Sequence, residues 1–214
     1  MKLTITDLYS KMHQHRGDSG WWPADSKEEI IIGAIMIQNT NWRNADRAVA
    51  GFRKQTGFVP DEICHLTDKE LQDLVRPAGF YKNKSRAVKT VFTWLAQYDY
   101  NYQAIARSFG PGLRTELLKL HGIGNETADV LLTYIFEIPT FISDKYARIL
   151  FTELGVTGLT DYQSLARQVR LPEDFTIKEA QDFHGLIDEF GKIYFHPRTK
   201  FVQSFLAGDE LIIN

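Results

Sequence analysis

The chain has 214 residues and a mass of 24.6 kDa, with 43% hydrophobic, 24% charged and 13% aromatic residues. That composition is globular and excludes disorder and collagen-like repeats. The net charge of -2 excludes a global basic field, so a nucleic-acid partner would need positive charge gathered on one face. The single cysteine, Cys64, excludes an internal disulfide, a four-thiolate zinc site and a four-cysteine iron–sulfur cluster within the chain. Met1 to His15 has no apolar core of signal-peptide type, and no run approaches the roughly 18 apolar residues that cross a bilayer. The expectation is a cytoplasmic protein of one large domain or two small lobes, without membrane contact.

In chain order the pattern is helical almost throughout. Ser26 with Glu29 reads as a capping box, and Ile30, Ile31, Ala34 and Ile35 continue a helix to about Gln38. Trp42 to Gln55 repeats the signal with Ala45, Ala48, Val49 and Phe52. Thr67 with Glu70 opens a short helix to Val75, and Lys82 to Tyr98 places Ala87, Val88, Val91, Trp94 and Leu95 on one face. Leu113 to Leu120 is short. Asn125 to Phe136 is apolar on most sides and reads as buried. Asp144 to Leu154, Tyr162 to Val169 and Thr176 to Phe195 complete the helices, with proline and glycine between segments. Phe141–Ser143 and Leu211–Ile213 are the only strand candidates. The fold class predicted is all-α, with about ten helices.

The chemistry-bearing stretch is Leu120-His121-Gly122-Ile123-Gly124-Asn125-Glu126-Thr127-Ala128-Asp129. A short helix runs into Gly-Ile-Gly and a second helix starts at once. The glycines allow positive φ and close backbone approach, and the second helix opens with unpaired N–H groups at its positive dipole end. Such a turn can cradle a backbone phosphate, or it can simply join two helices and bind nothing. Eighteen residues after Glu126 comes Asp144, at a helix start. An aspartate there caps the helix. A fixed carboxylate is also what N-glycosidic bond cleavage needs, because the sugar becomes an oxocarbenium-like cation. No His-Glu-x-x-His, Gly-x-Ser-x-Gly or P-loop pattern is present, so no metal site is expected.

These residues carry a resemblance. Leu-x-Gly-Ile-Gly-x-x-Thr-Ala at 120–128, Pro139-Thr140 and Asp144 resemble the helix–hairpin–helix DNA glycosylases of the GPD type, the superfamily of endonuclease III and the mismatch adenine glycosylase. Gly33 to Thr40 is similar to that family's helix ending in a glutamine that enters DNA, here Gln38. Gly79-Phe80-Tyr81 with Lys84 and Ala87 is similar to its Gly-φ-Tyr-x-x-Lys-Ala segment. The resemblance implies two helical lobes, one over about 28–138 holding the hairpin at about 113–136, the other built from 1–27 and 139–214 and carrying the catalytic Asp144. It implies double-stranded DNA with a damaged base as partner, a cleft between the lobes for the flipped base, and a monomer.

Departures narrow the reading. Bifunctional members carry a lysine just before the Thr-Ala that forms a Schiff base with the sugar; here Glu126 stands in its place, and a carboxylate cannot be that nucleophile. The resemblance therefore implies a monofunctional enzyme using water. The cluster of endonuclease III is excluded by the cysteine count, so no cofactor is expected. Ile149 stands where the family often has arginine.

Trp21-Trp22-Pro23, Gln38 to Trp42 and Asp144-Lys145-Tyr146 resemble the cluster-less 3-methyladenine glycosylases of type III. That branch implies base binding by Trp22 and Trp42, with Pro23 alongside, and catalysis by Asp144 with Glu126. Gln38, Gly122, Gly124, Asn125, Thr127 and Lys145 are then expected at DNA. Lys200 matches a lysine that is carbamylated in the branch, or it is a plain surface lysine. A base methylated at N3 is cationic and leaves neutral, so selection outweighs general acid catalysis, and indole faces supply about 0.5–2 kcal/mol toward a cation. The tryptophans could equally be core residues. Lys82, Lys84, Arg86 and Lys89, with Arg76, form the densest basic run, either a solvated face or a phosphate track. Two rivals remain: a glycosylase for another damaged or mismatched base, and a non-catalytic damage-binding module that uses the hairpin alone.

Overall fold

A computed structural model of the chain describes residues 1–213, apart from the side chains of residues 198 and 199. It is mostly helical, as the periodicity predicts. The chain divides into two units. One is continuous, Ala24–Phe136. The other joins Met1–Pro23 to the stretch from Glu137 onward. No helix among the described residues is long and apolar enough to cross a membrane.

The continuous unit is built around α2 (Lys27–Met36). Ile31, Ile32, Gly33, Ala34, Ile35 and Met36 are all buried, so this helix is apolar on nearly every side and forms the unit's centre. Its start differs from the expected capping box. Ser26 accepts the Glu29 N–H, but the Glu29 carboxylate takes the Asp25 N–H at 3.0 Å and pairs with Arg53. The helix also ends at Met36, two residues before Gln38. Around it lie α3 (Trp42–Thr56), α4 (Pro60–His65), α5 (Asp68–Val75) and α6 (Tyr81–Ala96). The unit closes with α7 (Tyr102–Phe109), α8 (Leu113–Lys119) and α9 (Asn125–Tyr134). Thr67 and Glu70 make the full reciprocal box at α5. The second helix of the hairpin, α9, is buried from Thr127 through Tyr134, as its all-round apolarity predicts.

The second unit packs α1 (Ile5–Arg16), α10 (Lys145–Glu153), α11 (Tyr162–Ala166) and α12 (Ile177–Tyr194) around a phenylalanine-rich core. Phe141, Phe151, Phe175, Phe183, Phe190 and Phe195 meet Leu8, Met12 and Leu150 there. The tail strand β2 (Glu210–Leu211) pairs in parallel with β1 (Lys2–Leu3), Lys2 opposite Glu210. Phe141–Ser143 is not a strand; its buried side chains anchor an extended segment.

Helices α1, α4 and α7 lie outside the sequence expectation. For α1 the signal was present: Ile5, Leu8 and Met12 are buried at helical spacing behind a Thr4–Asp7 capping box. An aspartate closing the box, rather than glutamate or glutamine, hides it from the usual pattern. Both α4 and α7 are short, and helices of that length draw their stability from packing more than from local sequence.

Candidate functional site

In the continuous unit, α8 ends at Lys119 and the chain turns through Leu120–Ile123, with the Ile123 N–H bonded to Leu120 O at 3.1 Å. Gly122 sits at φ +79°, in the left-handed region. A Cβ there would lie 2.6 Å from Ala87 Cβ on α6, so the position requires glycine for both conformation and space. Gly124 differs. Its φ of -91° is ordinary, a Cβ would meet nothing within 4 Å, and it serves as the N-cap of α9. The close approach expected of two glycines thus falls on one.

No side chain caps the start of α9. Its first-turn N–H groups and dipole end therefore face outward without a local carboxylate or hydroxyl in the cap position, which suits an anion. Arg114 on α8 braces the two helices: it pairs with buried Asp129 at 2.6 and 3.0 Å and donates to Asn125 Oδ1 at 3.1 Å. Asn125 is thereby held by the hairpin itself. Thr127 is buried, and its hydroxyl accepts from Gln38 Nε2 at 2.9 Å. Any contact it makes to a phosphate runs through its main-chain N–H. Gln38 also donates to Gly122 O at 3.0 Å. It is neither a free amide in water nor a side chain pointing away from the fold, but a strut between the end of α2 and the hairpin turn. Glu126 is exposed in the first turn of α9.

In the second unit, Asp144 is the N-cap of α10, its Oδ1 accepting the Ala147 N–H at 2.7 Å. Buried Phe141, Ile142 and Ser143 fix the backbone leading to it. A carboxylate so held reorganises little, which is what electrostatic stabilisation of a cationic transition state requires. Two residues on, the Tyr146 ring lies against Gly191 of α12, and its hydroxyl meets His196 Nε2 at 2.9 Å. Burial, with Asp188 and Asp144 nearby, raises the Tyr146 phenol above its ordinary value. Lys145 is exposed beside the cap.

A family model described as HhH-GPD superfamily base excision DNA repair protein matches residues 32–189, most of the chain and both units. The chain belongs to that superfamily. Relatives agree. A protein of Methanocaldococcus jannaschii provisionally named a DNA repair glycosylase is 32% identical over 193 residues, covering 88% of this chain and 87% of its own. An endonuclease III of Sulfolobus acidocaldarius is 27% identical, covering 76% and 71%. Among solved structures, a 3-methyladenine DNA glycosylase of H. pylori bound to 1,N6-ethenoadenine superposes with a TM-score of 0.68 at 23% identity, covering 89% of this chain and 98% of its own. A trapped endonuclease III–DNA covalent intermediate gives 0.67 at 18% identity, with 88% and 85% covered. At those identities the superpositions establish the HhH-GPD fold.

Within this HhH-GPD fold the remaining sequence expectations divide. Trp42 opens α3 and is 39% exposed, so it is not a core residue. Trp22 is half-buried and Pro23 exposed. Lys200 is exposed. The basic run breaks up. Lys84 is 3% exposed and donates to Met36 O and Ala78 O, both at 2.8 Å, so it serves neither as a phosphate contact nor as part of a solvated face. Burial pushes its ammonium down to about 8. Lys82, Arg86 and Lys89 share the exposed face at i, i+4 and i+7, with Lys89 paired to Asp68 at 2.5 Å. Lys84, two residues from Lys82, falls on the opposite side of the helix. Arg76 is exposed, stacks over Tyr81 at 4.4 Å and pairs with Asp73.

One residue that sequence reasoning placed in the family segment but gave no role is Phe80, held at φ +47° and 66% exposed between Gly79 and α6. An aromatic ring kept in water by a left-handed backbone has no packing role to explain it. The signal available in the sequence was an aromatic placed directly after glycine at a helix start.

Proposed function

We propose that the protein is a monofunctional DNA glycosylase that hydrolyses the N-glycosidic bond of alkylated purines, chiefly 3-methyladenine, after the base leaves the duplex. The reading rests on superfamily membership in base excision repair and is carried by one observation. The first turn of α9, where bifunctional members of the family place their amine nucleophile, holds an exposed glutamate, Glu126. Water is then the nucleophile, with Asp144 stabilising the developing sugar cation and Glu126 adding negative potential.

The DNA partner follows from the hairpin. The α9 N-terminus with Gly122, Gly124, Asn125 and the Thr127 N–H takes a phosphate, Lys145 adds charge beside Asp144, and Gln38 supports the turn. Phe80 supplies an apolar wedge for the stack. Trp22 and Trp42, with Pro23, select the extruded base by indole stacking on a positively charged ring. The solved neighbour bound to an ethenoadenine lends support to a purine substrate. The protein acts as a monomer without a cluster or metal, and Lys200 remains the candidate for carbamylation.

Incubation with methylated duplex should release 3-methyladenine, detected by chromatography, and Asp144→Asn should abolish release. Borohydride in the same reaction should trap no covalent product. Release by Asp144→Asn at the wild-type rate, or efficient trapping, overturns the assignment. The endonuclease III relatives favour one alternative, excision of a different damaged base; a lesion panel on the same protein separates the two.

A further inference from the structure

The loop that leads to Trp22 is fastened to α12 through Asp182, Gly185 and Lys192. The buried Asp182 carboxylate accepts the Ser19 N–H on Oδ1 at 2.6 Å and meets His13 Nδ1 with Oδ2 at 3.0 Å. Ser19 Oγ in turn accepts the Trp21 N–H at 3.3 Å. One turn along, Gly185 lets the loop lie directly on the helix: a Cβ there would sit 2.3 Å from Ser19 Oγ and 2.4 Å from Trp21 Cβ. Finally, the Trp21 ring is covered by Lys192 Nζ at 4.5 Å from its centroid and edged by His184 at 6.4 Å. Lys192 itself is paired with Asp188.

Asp182, Gly185 and Lys192 recur at three and seven residues, so one stripe of α12 holds the whole loop. Burial opposes charge on Asp182, but the Ser19 N–H and the His13 ring outweigh it and hold the carboxyl below its ordinary range. It is an ionised acceptor with one oxygen aimed at the loop and the other at His13 of α1, the arrangement that makes charge-assisted bonds strong. Trp21 is the residue this packing consumes. Trp22, the next residue, is left half-buried with its ring 5.4 Å from that of Trp21.

We propose that Asp182 and Gly185 are positioning residues that set the place of the Trp22 ring, so that selectivity for the damaged base is written on α12 rather than in the loop alone. A flat ring recognising a flat base tolerates little displacement, and a loop without such fastening would spread the indole over many positions. The inference rests on the reading of Trp22 as a base-binding residue, and two measurements separate its failure from the failure of that reading.

The first uses no DNA. Acrylamide quenching assigned to Trp22 by difference from Trp22→Phe should rise about twofold or more in Asp182→Ala and in Gly185→Ala, and stay near the parent in Asp182→Asn, which keeps an acceptor for the Ser19 main-chain N–H. Gly185→Ala leaves the Asp182 carboxylate in place and displaces the loop by a Cβ that would meet Ser19 and Trp21, so it reports even if Asp182→Ala does not fold. Unchanged quenching in Gly185→Ala, or in folded Asp182→Ala, overturns the proposal.

The second measures base release against binding to a duplex with an abasic analogue, which offers no base to hold. Asp182→Ala should lower kcat/KM for release about tenfold with abasic affinity within about twofold, and on a Trp22→Ala background it should add almost nothing. Additive losses, or abasic binding that falls in step, show a merely structural role and overturn it. If Trp22→Ala releases base at the wild-type rate, the base-wall reading fails, while quenching still decides whether α12 sets the ring.

Discussion

Replacing Lys84 with methionine tests whether an ammonium buried against two carbonyls alone holds the end of α2 to the turn before α6. Methionine matches the length of the lysine stem but offers no donor, leaving Met36 O and Ala78 O without their 2.8 Å partners. Each buried acceptor so stranded costs about 1–3 kcal/mol. Removing the ammonium also removes its desolvation cost, which offsets part of this, so a net loss of about 1–3 kcal/mol near neutral pH is expected.

The pH dependence is the sharper signature. The folded-state lysine is lowered from 10.5 to about 8, by burial. Between those values the unfolded chain holds a proton that the folded chain has released, so the wild type gains stability as pH rises through this window. Below it both states are protonated and nothing changes. The gain approaches about 1 kcal/mol between pH 8 and 9. The methionine variant has no such group, and tyrosine contributions cancel in the comparison. Urea melts of both proteins at pH 7, 8 and 9 should therefore show the gap widening with pH. Parallel curves, or a gap that narrows, would refute the account of a buried, charge-penalised lysine.

Other expectations follow from the same geometry. Gly122→Ala combines a left-handed φ with a 2.6 Å approach to Ala87 Cβ and should destabilise by about 2–4 kcal/mol in denaturant melts; Ala87→Gly in the same chain should recover the steric part only. Gln38→Ala loses two hydrogen bonds to the hairpin, worth together about 1–2 kcal/mol, and hydrogen exchange at the hairpin turn should quicken with little change at α12. Asp144→Asn should keep its melting temperature, because asparagine caps as well as aspartate, while base release falls by about two orders of magnitude or more. Asp144→Ala should add a stability loss of about 1 kcal/mol.

Much of the fold was legible because several helices carry their own punctuation. Thr67 with Glu70 announces a helix start, and glycine or proline marks the gaps. The hairpin was legible for the same reason: a helix, a glycine that must go left-handed and a second helix are local facts. Lys84 was misread because a count of basic residues ignores the helical angle; Lys82, Arg86 and Lys89 keep to one face, and Lys84 does not. Gln38 was placed at the right helix end, but its two partners lie far along the chain at Gly122 and Thr127, and no local pattern encodes them. The Asp182–Ser19 bond is of that kind too: an aspartate inside α12 looks like any solvated helical carboxylate until the fold brings residue 19 to it.

The pairing of Lys2–Leu3 with Glu210–Leu211 has a bearing on biogenesis. The middle of the chain is one uninterrupted stretch that can complete on the ribosome, whereas α1 emerges before it and finds α12 only after it. Its apolar stripe of Ile5, Leu8 and Met12 spends that interval uncovered. Nascent chains stalled before α12 should therefore be the ones that chaperones hold and proteases cut at α1, while the stretch bearing the hairpin already resists digestion.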